Sequence, residues 1–303
     1  MDGEPTAQRA RERAAAALEL KRHDEAIRFA IEAIGMDPTH YRGHGLLAQA
    51  LLGKKLHAEA QRAAEAGITA APEQEWLHRL RSLALREQGR LDEALKSADE
   101  AVRLAPNLGF AHYTRALALA RMKRIDEARA SNIKALELDP NNADIHRDLG
   151  DLYLDAEPKV AEKHYRASLA LDPNDAYALN NLGVSLKRQR RAKEALIAFK
   201  AAMLLDPTMG AAKRNTHSTA KEMMKTGSGI AAIVIILNII RLGAGFDTHD
   251  GTAVVTAIFI AVTVGLLVAF AISRNAKNSL SRLDPQLYEI FQKLDADKRA
   301  GRL

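Results

Sequence analysis

Residues 143–175 read ADIHRDLGDLYLDAEPKVAEKHYRASLALDPND, and this stretch decides the fold. Leu149, Gly150 and Tyr153 are spaced for one face of a first helix. Pro158 falls in a turn, and Ala161, Tyr165 and Leu169 then recur at i, i+4 and i+8, the period of a second helix. Asp172-Pro173 ends that helix, because proline disfavours helix in the residue before it and opens the next one well. The small residues let two helices approach closely. One such pair cannot bury its apolar face alone, so neighbouring pairs must stack.

The same punctuation runs outward in both directions. Prolines stand at Pro38, Pro72, Pro106, Pro140, Pro173 and Pro207, evenly spaced except that the step into Pro173 is one shorter than the others. Twelve places before each lies an alanine: Ala26, Ala60, Ala94, Ala128, Ala161 and Ala195. Five places before each comes another small residue, Ala33, Gly67, Ala101, Ala135, Ser168 or Ala202. A fixed period on this scale is the mark of a repeat architecture. It divides the chain into six helix-turn-helix units at 7–40, 41–74, 75–108, 109–142, 143–175 and 176–209. The fifth has lost one residue, most simply in its turn around Asp155–Pro158.

The pattern resembles the tetratricopeptide repeat (TPR). Leu182-Gly183, Ala195, Phe199, Ala202 and Pro207 fit that family's signature at most positions, as do Leu149-Gly150, Tyr153, Ala161, Tyr165 and Pro173. Units one and three depart from it, with Arg13-Ala14 and Arg81-Ser82 at the Leu-Gly places. The resemblance covers about two thirds of the chain and implies an all-α, right-handed solenoid. Its first helices would line a concave groove that takes up a peptide segment or a protein surface. Position by position, the groove-facing residues are Trp76 and Arg79, Phe110 and Tyr113, Asp144 and Arg147, and Tyr177 and Asn180. Arg86, Arg121, Lys187 and Arg188 follow along the same helices. Aromatic side chains beside arginines suit an extended acidic or aromatic segment, with Trp76, the only tryptophan, as the leading anchor. The competing reading makes them surface residues and inter-repeat packing. A carboxylate clamp of the kind some TPR domains use is not completed: Asp151 stands where that clamp has asparagine, and no further repeat follows Asn181 to supply its remaining basic groups.

His44, His78, His112 and His146 recur once per repeat, where the family usually has tryptophan. With helix axes about 8–10 Å apart they climb along the array and do not converge on one ion. They read as replacements for the packing aromatic. The chain has no glycine-rich loop followed by Lys-Ser or Lys-Thr, and no Gly-x-Ser-x-Gly elbow. Acidic pairs such as Asp92-Glu93 and Asp126-Glu127 open second helices, where they complement the helix dipole. Neither a catalytic constellation nor a cofactor or metal site is expected.

After Met209 the pattern stops. Residues 210–226 read as a basic linker, with Lys213, Arg214, Lys221 and Lys225. Residues 227–246 are apolar except for Ser228, Asn238 and Arg241, and 251–272 form a run without a single charge. A helix of that length spans about 33 Å, enough for a ~30 Å hydrocarbon core. The second run is read as a transmembrane helix. The first completes a transmembrane hairpin if Arg241 reaches the interface, or else lies along the membrane. Lys and Arg flank the pair on both sides while the loop Asp247–Asp250 has neither, which places both flanks in the cytoplasm. In the tail 273–303, Asp284-Pro285 precedes Leu287, Ile290, Phe291 and Leu294, the start of an amphipathic helix. It can lie on the membrane or dock on the array as a cap.

The 303 residues carry a formal charge of +6, of which residues 213–303 hold +5. The basicity therefore belongs to the membrane flanks and gives no nucleic-acid surface. With no cysteine there is no disulfide framework, thiol nucleophile or cysteine-held metal, and a reducing compartment is fitting. The start Met1–Pro5 lacks a signal-peptide pattern. The function expected is a membrane-anchored adaptor or scaffold for a protein or peptide partner, its array cytoplasmic, at a bacterial inner membrane. The alternative is a receptor or subunit of a protein-targeting, translocation or membrane enzyme complex.

Overall fold

The computed structural model describes residues 6–222 and, in the tail, residues 289, 292–294, 296–297 and 299–300. The described residues hold twelve bounded helices: α1 Ala7–Glu19, α2 His23–Met36, α3 Tyr41–Gly53, α4 His57–Ala70, α5 Glu75–Glu87, α6 Leu91–Leu104, α7 Gly109–Arg121, α8 Ile125–Leu138, α9 Ala143–Tyr153, α10 Pro158–Leu171, α11 Ala176–Arg188 and α12 Ala192–Leu205. No strand occurs among these residues. The chain forms two compact units, residues 1–152 and 153–303.

In the first unit each helix from α1 to α7 packs against the next in sequence, and the first helices also touch in series, α1 on α3, α3 on α5 and α5 on α7. This row of first helices forms the inner face of the unit. The packed faces are built from alanine. Ala26, Ala60, Ala94 and Ala128, each at the same distance before its repeat's proline, are fully buried. One close approach has an identifiable cause. A Cβ on Gly45 would run into the Trp76 ring, so the absent side chain is what admits the indole.

The turn inside five of the six pairs is a Schellman motif. The amide of Arg22 bonds to the Ala17 carbonyl and that of Lys21 to Leu18, and the same two bonds recur before α4, α6, α8 and α12. The residue at the bend is left-handed each time: Lys21, Lys55, Gly89, Lys123 and Arg190, with φ between +56° and +77°. Four of the five are not glycine, at a cost of about 1 kcal/mol each. The fifth pair differs. Its α9 has 11 residues where the other first helices have 13, and Pro158 sits at the start of α10. The missing residue therefore comes out of the end of the first helix, not out of the turn as expected, because Pro158 forces a new boundary.

The arginines at the family's leucine place have a structural role. Arg81 Nε donates to Glu65 Oε1 at 2.9 Å and its Nη1 to Ser97 Oγ at 2.6 Å. Arg115 repeats this one unit on, to Asp99 Oδ1 at 2.7 Å and Ser131 Oγ at 2.7 Å. Each ties the second helix of its own pair to that of the pair before. Arg13 lies over the Phe29 ring at 3.8 Å. Units one and three thus keep the fold by exchanging an apolar contact for polar and cation–π ones.

In the second unit α10 packs on α11 and α11 on α12. Gly183 makes room for Phe199, whose ring would be 2.6 Å from a Cβ there. Residues 210–222 are helical, not the linker that their basic composition implied. This segment needs few apolar residues because Ala212 and Thr219, both fully buried, are small. Asn215 Nδ2 donates to Asn180 Oδ1 at 3.0 Å, and Lys187 meets Glu222 at 3.5 Å. The helix docks as the first half of a further repeat. Leu294 of the tail, 4% exposed, belongs to the same apolar cluster as Ile197, Ala201 and Ala212. No helix among the described residues is long and apolar enough to cross a membrane, and the expected spans 227–246 and 251–272 lie outside them.

Candidate peptide-binding groove

The inner face of the first unit holds two adjoining cavities of about 380 Å³ each. One is lined by Tyr41, Arg42, Leu46, Gln49, Gln74 and Trp76. The other lies over α1, between Gln8, Glu12, Glu19 and, again, Arg42. Trp76 is half-buried and serves two purposes. One part of its ring fills the space over Gly45 and joins the apolar clusters of the first three repeats; the rest forms a wall of the cavity.

Further along, Arg79 stands 5.8 Å from the Phe110 ring and pairs with Glu75 at 3.5 Å. Arg86 pairs with Glu87 at 2.6 Å. Phe110 is 47% exposed. Tyr113 donates its hydroxyl to Asp148 at 3.0 Å, and Arg147 lies 2.8 Å from Asp144 and 3.7 Å from Asp148. Arg121 is exposed. Burial, aided by the adjacent carboxylate, raises the Tyr113 phenol far above its usual range. Burial also pushes Asp148 up to about 6, against the opposing pull of the Tyr113 hydrogen bond and the Arg147 charge.

In the second unit Tyr177 is 49% exposed, whereas Asn180 is 5% exposed and bonded to both Asn181 and Asn215. Lys187 is engaged by Ser218 and Glu222, and Arg188 pairs with Asp155 at 2.6 Å. The helix over 210–222 thus occupies Asn180 and Lys187, two positions expected to face a partner. Arg42 and Asp148 were missed. Arg42 is the counterpart of Trp76 in the preceding repeat, so carrying the groove positions back by one period would have found it. Its guanidinium makes no ion pair among the described residues, unlike those of Arg79, Arg86 and Arg147.

The histidine ladder is accounted for by backbone contacts. His44, His78 and His112 place Nε2 2.8–2.9 Å from the carbonyls of Pro38, Pro72 and Pro106, stapling each first helix to the turn before it. His40 and His44 have zinc-like spacing, but His40 Nδ1 accepts the Arg42 amide as a helix cap. No metal-competent cluster occurs among the described residues.

Residues 76–108 and 164–197 match family models described as tetratricopeptide repeat, and residues 121–156 one described as TPR repeat. The segments so matched are tetratricopeptide repeats, and the other helix pairs share their form. The TPR fold is shared with a chain of the APC/C hetero-tetramer Cut9-Hcn1, at TM-score 0.67 and 14% identity over 71% of this chain and 43% of that one. It is shared with PilF of Pseudomonas aeruginosa, at TM-score 0.60 and 18% identity over 70% and 97%. TTC0263, a thermophilic TPR protein of Thermus thermophilus, matches at TM-score 0.54 and 23% identity over 60% and 100%. This chain spans less than half the length of the first of these. No curated protein sequence matches it.

Proposed function

We propose that this TPR protein is a membrane-anchored adaptor that holds an extended partner segment on the inner face of its first unit. The observation that supports this most directly is the cavity beside Trp76 and Tyr41, with Arg42 at its rim and without an ion pair among the described residues. An aromatic or bulky aliphatic side chain fits the cavity, and a carboxylate a residue or two away meets Arg42. The groove arginines Arg79, Arg86 and Arg147 are held by this chain's own acids and offer a partner little free charge, Arg79 adding its contact with the Phe110 ring. The anchor is supported by the uncharged run 251–272, preceded by the apolar run 227–246. On this reading the protein concentrates its partner at a membrane surface, at the cytoplasmic face of a bacterial inner membrane, and has no reaction of its own.

Selection of a random-peptide library on the full chain in mild detergent should enrich segments that carry Asp or Glu close to an aromatic residue. The selected peptides should shift the emission of Trp76. Arg42→Ala should weaken them about tenfold, as expected for loss of one charge-assisted hydrogen bond, while Arg86→Ala leaves them unchanged. Equal binding by Arg42→Ala would remove the assignment.

A further inference from the structure

Helix α12 is buried on one face more than its counterparts. Besides the usual inward residues, Glu194, Ile197 and Ala201 are buried, at 6%, 7% and 0% exposure. At the corresponding places Glu93, Lys96 and Glu100 of α6 are exposed or half-exposed, and Glu127, Ala130 and Lys134 of α8 are exposed. Ile and Ala in place of Lys already mark this stripe of α12 as one meant to be covered. Leu294 is buried in the cluster that contains Ile197 and Ala201, and the described tail residues from 289 to 299 are helical. A terminal repeat needs its apolar end closed, and here a segment from beyond the hydrophobic runs reaches that end.

We infer that the tail around Leu294 closes the last repeat by docking on the Glu194–Ile197–Ala201 face of α12, so that the chain between them crosses the membrane an even number of times. The reasoning is topological. Residues 213–222 and Leu294 bracket both hydrophobic runs, and a bilayer cannot separate two parts of one packed core. If 251–272 spans, as the proposed function has it, 227–246 must span as well. The two runs then form a hairpin, and the tail lies on the side of the TPR array. Charge placement agrees independently: Lys and Arg flank the pair on both sides, while Asp247 and Asp250 lie between. Arg241 is carried to the far interface at the end of the first span.

The absence of native cysteine makes a direct test clean. Leu294→Cys is combined in turn with Ile197→Cys, Ala201→Cys and, as control, the exposed Lys200→Cys, in full-length protein in its native membrane. At least one of the first two pairs should form a disulfide under mild oxidation, and the control should not. If neither does, with helix content unchanged, the docking is overturned. Single cysteines at Gln8, His249 and Arg302 are then labelled with a membrane-impermeant maleimide in sealed inverted vesicles. Gln8→Cys and Arg302→Cys should react from one face and His249→Cys only after the vesicles are opened. Labelling of His249→Cys together with Gln8→Cys overturns the hairpin, and labelling of Gln8→Cys without Arg302→Cys overturns the even crossing, even where the disulfide forms. A disulfide that forms in protein recovered without detergent keeps the docking and overturns the membrane reading on which the crossing rests.

Discussion

Asp148 shows how a single buried carboxyl acquires a signature that can be measured. It accepts the Tyr113 hydroxyl and stands beside Arg147, but burial outweighs both and its pKa rises to about 6. The unfolded chain takes up this proton only near about pH 4. Between those values the folded TPR unit binds more protons than the unfolded one. This group therefore adds stability as pH falls through 6, by at most about 1.4 kcal/mol per pH unit. Other carboxyls act in the opposite sense. For Glu65, burial is outweighed by hydrogen bonds from Gln61 and Arg81, so its pKa is lowered and its contribution is lost in acid. The test is consequently a difference. Asp148→Asn should be relatively more stable than the parent at pH 7 and lose that advantage by pH 5, followed through Trp76 emission on heating. A constant difference across that range would show that Asp148 is not perturbed.

Among the elements, the arginine bridges between second helices carry a prediction of their own. Arg81→Ala removes two hydrogen bonds, yet Ser97 still donates to the Glu93 carbonyl and Glu65 still accepts from Gln61. No buried group is orphaned, so the cost should be near ~1 kcal/mol. Amide exchange in α4 and α6 should quicken about fivefold, and that in α11 and α12 should not change. Uniform acceleration would mean that the bridge acts on the chain globally. The sequence made the helix pairs legible because Pro and Ala act through hard sterics, which leave the same mark in every repeat. The bend residues were not legible, since Lys21, Lys55 and Lys123 occupy a left-handed turn that usually announces itself through glycine. Residues 210–222 escaped for a related reason. Their packing uses Ala212 and Thr219, and a helix that buries only small residues shows no apolar stripe. In the groove, the aromatic positions followed from the repeat register, but which arginines remain available did not. That depends on whether an acid lies within reach, as Glu75 does for Arg79 and Glu87 for Arg86.

At the scale of the whole molecule, the proposed function takes its binding face from the TPR array and its location from the hydrophobic runs. Full-length protein should sediment with membranes and resist carbonate at high pH. Its appearance in the aqueous fraction without detergent would remove the anchor from the function while leaving the groove intact. On the proposed docking, the two parts meet through α12, the helix over 210–222 and the tail. That junction governs the order in which the protein is made. Each helix pair of the first unit packs on chain just synthesised, and such local contacts form early and quickly. Leu294 is different, for its site on α12 has to wait until everything from 227 to 288 has left the ribosome and found its place. If the proposed docking and anchor hold, maturation of the last repeat is timed to follow membrane insertion, and a chain that fails to insert would expose Ile197 and Ala201 to quality control.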